Sequence, residues 1–73
     1  MSSEVIFGID GVDSEKSRLE VINALHRYSG VLDVDLNPGH SQIRVRYDAT
    51  NILANDIKET LEDAGYHVRF IQQ

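Results

Sequence analysis

At 73 residues the chain makes one domain, and a domain this short buries only about 60% of the surface its unfolded chain exposes, so its core has to be compact and regular. A hydrophobic fraction of 41% and a charged fraction of 26% exclude a disordered chain, and the lack of cysteine excludes thiol catalysis, disulfides and thiolate metal sites. The net charge of −5, with seven basic residues dispersed among acids, excludes the concentrated basic patch that a nucleic-acid partner requires.

Val5, Phe7 and Ile9 alternate with Ile6, Gly8 and Asp10, which predicts a first strand ending at Gly11. A helix follows, with Asp13 or Ser14 positioned to cap its first N–H groups and Glu15 placed against the dipole in the first turn. Val21, Ala24, Leu25 and Tyr28 recur at helical spacing and form its buried face, and Gly30 ends it. Val31, Val34 and Leu36, alternating in part with Asp33 and Asp35, predict a second strand. The turn-rich Asn37-Pro38-Gly39-His40-Ser41 joins it to a third, in which Ile43, Val45 and Tyr47 alternate with Gln42, Arg44 and Arg46. A second helix is predicted from Leu53 to Ala64. Ile57, Leu61 and Ala64 lie on its buried face with Leu53 one turn before, while Lys58, Glu59, Glu62 and Asp63 face water. Gly65 stops it. His67 to Ile71 is a last short strand, with Val68 and Phe70 on one face and Ile71 on the other.

The order βαββαβ, with right-handed crossovers and a central hairpin, predicts an α+β ferredoxin-like sandwich. A four-stranded antiparallel sheet carries both helices on one face, in a single domain spanning residues 1–73. No apolar run approaches the length of a membrane span, and none follows Met1-Ser2-Ser3, so neither a span nor a signal peptide is read and the cytoplasm is the expected location.

The stretch Gly11-Val12-Asp13-Ser14-Glu15-Lys16-Ser17 lies between the first strand and the first helix, and its two serines are three apart, the spacing at which two cysteines would hold a soft metal. Its surroundings carry a resemblance. Val5-x-Phe7-x-Ile9-x-Gly11, Val21-x-x-Ala24-Leu25, Gly30-Val31-x-x-Val34-x-Leu36, Ile43-x-Val45-x-Tyr47-Asp48 and Ile57-x-x-x-Leu61-Glu62-Asp63-Ala64-Gly65-Tyr66-x-Val68 together resemble the heavy-metal-associated (HMA) domain. That family includes copper chaperones and the N-terminal modules of metal-transporting P-type ATPases. The resemblance places the family's Gly-Met-Thr-Cys-x-x-Cys loop on Gly11 to Ser17, so that both metal-binding cysteines are serines, Ser14 and Ser17, and the methionine is Val12.

The exchange changes the chemistry. Soft ions such as Cu(I) are held by thiolates or thioethers, whereas a serine hydroxyl stays neutral and is a poor soft ligand. The fold carries over from the resemblance and the metal residues do not. Three histidines offer little replacement. His26 lies late in the first helix and His40 in the hairpin turn; His67, with Tyr66, is expected near the loop, but one histidine and two serines fall far short of a zinc site. Asp10, Asp13 and Glu15 lack the spacing of a calcium loop. Ser14 and Ser17 have no oriented base nearby, the glycines form no phosphate loop, and no catalytic residue or cofactor is read.

What remains is a surface. Leu19 and Ile22 lie about 100–160° from Val21 around the first helix, with His26 between them in angle, which predicts a small docking patch ringed by Glu15, Arg18 and Arg27. The expected function is an HMA-like domain without soft-metal ligands, a protein-interaction or regulatory module in a metal-handling setting. Its interaction residues are Leu19, Ile22, His26, Tyr66 and His67, and its partner is another protein such as a metal transporter or chaperone. The alternative is a heavy-metal (copper) chaperone or transporter module whose metal-binding cysteines were deliberately exchanged for Ser14 and Ser17. Asp33 and Asp35 discourage pairing at one sheet edge and the last strand is less protected, so the expected state is a monomer or weak dimer.

Overall fold

Six elements follow one another: β1 (Ser2–Asp10), α1 (Glu15–Leu25), β2 (Val31–Asn37), β3 (Gln42–Asp48), α2 (Ala54–Asp63) and β4 (His67–Gln72). They come from a computed structural model that describes residues 2–37 and 41–73; the middle of the predicted hairpin turn, His40 included, lies outside the described residues. The strands form one antiparallel sheet in the order β2-β3-β1-β4, the expected ferredoxin-like arrangement, with β1 and β3 in the centre and β2 and β4 at the edges.

Alternation along the central strands decides which face of the sheet is covered. Val5, Phe7 and Ile9 of β1 are buried beside Ile43, Val45 and Tyr47 of β3, with Val5 opposite Val45 and Phe7 opposite Ile43. Val21 and Leu25 of α1 and Ile57 and Leu61 of α2 close over them. Each such side chain contributes roughly 1.5–3 kcal/mol by leaving water, which makes this layer the main source of stability in so small a domain. The other face is a ladder of charge, in which Arg44 pairs with Asp35 on β2 and Arg46 with Glu4 on β1 in register.

Four expectations about side-chain placement are corrected. Tyr28 is 43% exposed because α1 ends at Leu25, and the residue falls in the turn beyond it. Leu53 is 62% exposed because it stands at the extended N-cap of α2, outside the helical face to which its spacing assigned it. Ala64, at the C-cap of the same helix, is exposed too.

The fourth correction concerns β4. Ile9 pairs with Val68 but Gly8 pairs with Phe70, so Arg69 is an extra residue at a bulge. Phe70 is thereby turned to the charged face while Ile71, opposite Phe7, returns to the face of Val68. The Phe70 ring lies over Gly8, where a Cβ would stand 2.2 Å from its Cε2. A similar irregularity between Val31 and Asp33 leaves Leu32 exposed on β2.

The connection from α1 to β2 holds a second close approach. Gly30 is buried, and a Cβ there would stand 2.6 Å from Cγ2 of Ile52, itself in the core. Gly30→Ala is therefore expected to destabilise the domain by about 1–3 kcal/mol in urea unfolding. Because the obstacle is the Ile52 side chain, the same substitution in an Ile52→Ala background is expected to cost less, a non-additivity that a double-mutant cycle reads directly.

Candidate functional site

β1 delivers the chain to Gly11, whose φ of +104° lies where only glycine is unstrained. The turn is held from both sides. Val12 is buried in the core beneath it, and the ring of Tyr66 lies against Gly11, with Cδ1 3.2 Å from where a Cβ would be. Tyr66 is thus brought to the loop, as expected. His67 pairs with Asp10, next to the loop on the sheet side, and is exposed.

Of the two candidate caps, Ser14 is the one used. Its backbone is extended (φ −149°, ψ 165°), its Oγ accepts from the Ser17 N–H at 3.1 Å, and its carbonyl accepts from the Arg18 N–H at 3.0 Å. The hydroxyls of Ser14 and Ser17 lie 3.0 Å apart and hydrogen-bond to each other. Asp13 is exposed and has no hydrogen bond or ion pair among the described residues. One turn on, Arg18 clasps Glu15 with two nitrogens, Nε donating to Oε2 at 3.0 Å. That hydrogen bond holds the Glu15 carboxyl below the usual carboxylate range and raises Arg18. Arg69 Nε reaches Asp10 Oδ1 at 3.0 Å, so the bulge of β4 aims a cation at the strand end that feeds the loop.

This donor set is hydroxyl, imidazole and carboxylates, of which Glu15 and Asp10 are engaged by arginines, and it does not fit a soft ion, which is held by thiolate or thioether sulfur. Among the described residues no three of His, Asp and Glu are grouped so as to hold a metal. His26 is not brought to the loop. It caps the C-terminus of α1, about 18 Å along the axis from Ser14 at 1.5 Å per residue. On the outer side of the same helix Leu19 is 46% exposed, Ile22 is half-buried and His26 is exposed, which makes the predicted patch one open leucine beside a partly covered isoleucine. Arg69 was missed from the sequence, because only the bulge turns it toward Asp10.

The comparisons with known proteins agree with the fold. The model of the heavy-metal-associated domain matches residues 6–67. The chain is 30% identical over 66 residues to the copper chaperone CopZ of Staphylococcus aureus, covering 90% of this chain and 97% of that protein. Among solved structures, a CopZ metallochaperone superposes with a TM-score of 0.87 at 30% identity, covering 90% of this chain and 98% of that one. The water-soluble region of the P-type ATPase CopA from Bacillus subtilis gives 0.88 at 26% identity, covering 93% of this chain and 45% of that one. No helix of the described residues is long and apolar enough to cross a membrane.

The cap and the ion pair beside it make two predictions. Ser14→Ala removes the acceptor for the Ser17 N–H and is expected to lower stability by about 1 kcal/mol in urea unfolding. Because the Glu15 pKa is depressed in the folded state, its contribution is present above the ordinary carboxylate range and is lost as pH falls through the depressed value. Acid titration of stability is expected to show a shallower low-pH decline in Glu15→Gln than in the unmodified protein.

Proposed function

This chain belongs to the heavy-metal-associated domain family, and from that membership we propose that it is a member without soft-metal chemistry, acting by binding another protein in a metal-handling or regulatory setting. The observation that carries this reading is the state of the loop. The turn at Gly11, the anchor at Val12, the Tyr66 contact and the cap at Ser14 are all in place, while the two positions that the family resemblance assigns to cysteine present hydroxyls bonded to each other and to the helix. A scaffold kept in this form has a rigid, exposed turn and helix start to offer, but no thiolate to pass a metal through. The relatives include a copper chaperone and the water-soluble region of a P-type ATPase, which suggests a partner from that group of proteins. The proposed contact surface combines Tyr66 and His67 beside the loop with Leu19, Ile22 and His26 along α1, in a cytoplasmic, non-enzymatic module.

The second reading is a copper chaperone or transporter module whose cysteines were exchanged for Ser14 and Ser17. The same intact scaffold favours it, since serine replaces cysteine with little change of shape. Serine codons at both positions of the natural gene support the first reading, and cysteine codons support the second.

Titration with Cu(I) in competition with a chelator tests the chemistry. The unmodified protein is expected to take up no stoichiometric copper tighter than roughly micromolar, and the Ser14→Cys/Ser17→Cys double variant is expected to gain one tightly held ion, because thiolate supplies what hydroxyl lacks. Tight stoichiometric binding by the unmodified protein would overturn the first reading.

A further inference from the structure

A second surface lies between the end of α1 and the length of α2. A cleft of about 310 Å³ is lined by Tyr28, Ser29, Asn51, Ile52 and, from α2, Asp56, Glu59, Thr60 and Asp63. Its lining includes none of the residues assigned to the loop or to the patch on α1, so it stands independently of the function proposed above.

The walls differ in character. Ile52 forms a buried apolar floor, and Tyr28 stands on the α1 side, fixed by a hydroxyl contact of 3.2 Å to Thr60 and still 43% exposed. The α2 side is acidic, with Asp56, Glu59 and Asp63 at i, i+3 and i+7 on one stripe. Asp56 accepts the Leu53 N–H at 3.1 Å and Glu59 accepts from Asn55 at 3.2 Å, each through one oxygen. Asp63 has no hydrogen bond or ion pair among the described residues. Lys58 is the sole cation of α2, and it is drawn to Glu62 at 3.0 Å, which leaves the stripe uncompensated.

An apolar floor and aromatic wall ending in a carboxylate rim match a long cationic side chain, whose methylene stem lies along Tyr28 and Ile52 while its head meets the acids. The volume is at the bottom of the range for whole small-molecule ligands, which favours side chains delivered by a larger partner over a free metabolite. The acids recur about every turn, the spacing at which a facing helix presents its own side chains. We propose that this cleft is a docking groove for a basic helical segment of a partner protein, with one lysine or arginine seated between Tyr28 and the Glu59–Asp63 stripe.

The test uses the ¹⁵N-labelled full chain and an amidated helical peptide of about 15 residues, the length of α2 plus a turn, with lysine and arginine along one stripe around leucine. Amide shifts are expected at Tyr28, Ile52, Thr60 and Asp63. Affinity is expected to fall as salt rises from about 0.05 to about 0.5 M. Glu59→Lys/Asp63→Lys is expected to weaken binding by about tenfold or more, with Glu59→Gln/Asp63→Asn as the variant should the double reversal fail to fold. Leu19→Lys, which tests the α1 patch of the proposed function, is expected to leave this binding unchanged. Shifts confined to Leu19–His26 or to Asp33 and Asp35, equal binding of a peptide with glutamate on the same stripe, binding of arginine amide as tight as the peptide, or indifference to both cleft variants would each overturn the proposal.

Discussion

Everything in this domain rests on one apolar surface, the helix-facing side of β1 and β3. Val5, Phe7 and Ile9 lie beside Ile43, Val45 and Tyr47, and both helices reach the sheet through two buried side chains each, Val21 and Leu25 from α1 and Ile57 and Leu61 from α2. A chain of this size has no second core to fall back on. The elements at the rim hold their places only because they are tied to that surface, and the loop shows how: Val12 plugs into it from above while Gly11 allows the sharp reversal that lets Ser14 begin the helix.

That dependence explains how the loop keeps its shape with serine at both positions. The turn needs a glycine, a buried apolar residue, an aromatic neighbour and a capping oxygen, and each is present in Gly11, Val12, Tyr66 and Ser14. None of these roles calls for sulfur. Serine is at least as good a cap as any residue, since its oxygen accepts the N–H that helix geometry leaves open. The structural task of such a loop is separable from soft-metal binding, because only the second calls for sulfur.

Charge is distributed unevenly over the finished surface. The open face of the sheet interleaves arginines of β3 with acids of β1 and β2, so its fields largely cancel. On α1, Glu15 and Arg18 neutralise each other. The acids of α2 that face the cleft are not matched in this way, and much of the net charge of −5 is felt there. Net charge guides encounter with partners rather than fold, and its concentration beside an aromatic wall gives the helical layer a polarity of its own.

The element order, the core alternation of β1 and β3, a helix start at Asp13 or Ser14 and the absence of cysteine are legible in the residues themselves, because they depend on periods of 2 and 3.6, on capping chemistry and on residue identity. The family resemblance set the loop in register with those signals. The placements of Tyr28, Leu53 and Ala64 were not legible, since all three sit at or beyond helix ends, where spacing no longer states direction. Nor was the bulge at Arg69, which reverses Phe70 and Ile71 relative to simple alternation and carries Arg69 to Asp10. Which strand residues are skipped in pairing depends on how β4 meets β1 across the sheet, and whether Tyr28 walls a cleft depends on where α2 lies. The sequence by itself determined the fold class and the absence of sulfur from the loop; the tertiary structure alone decided which exposed side chains stand together, because that is set by contacts between segments distant along the chain.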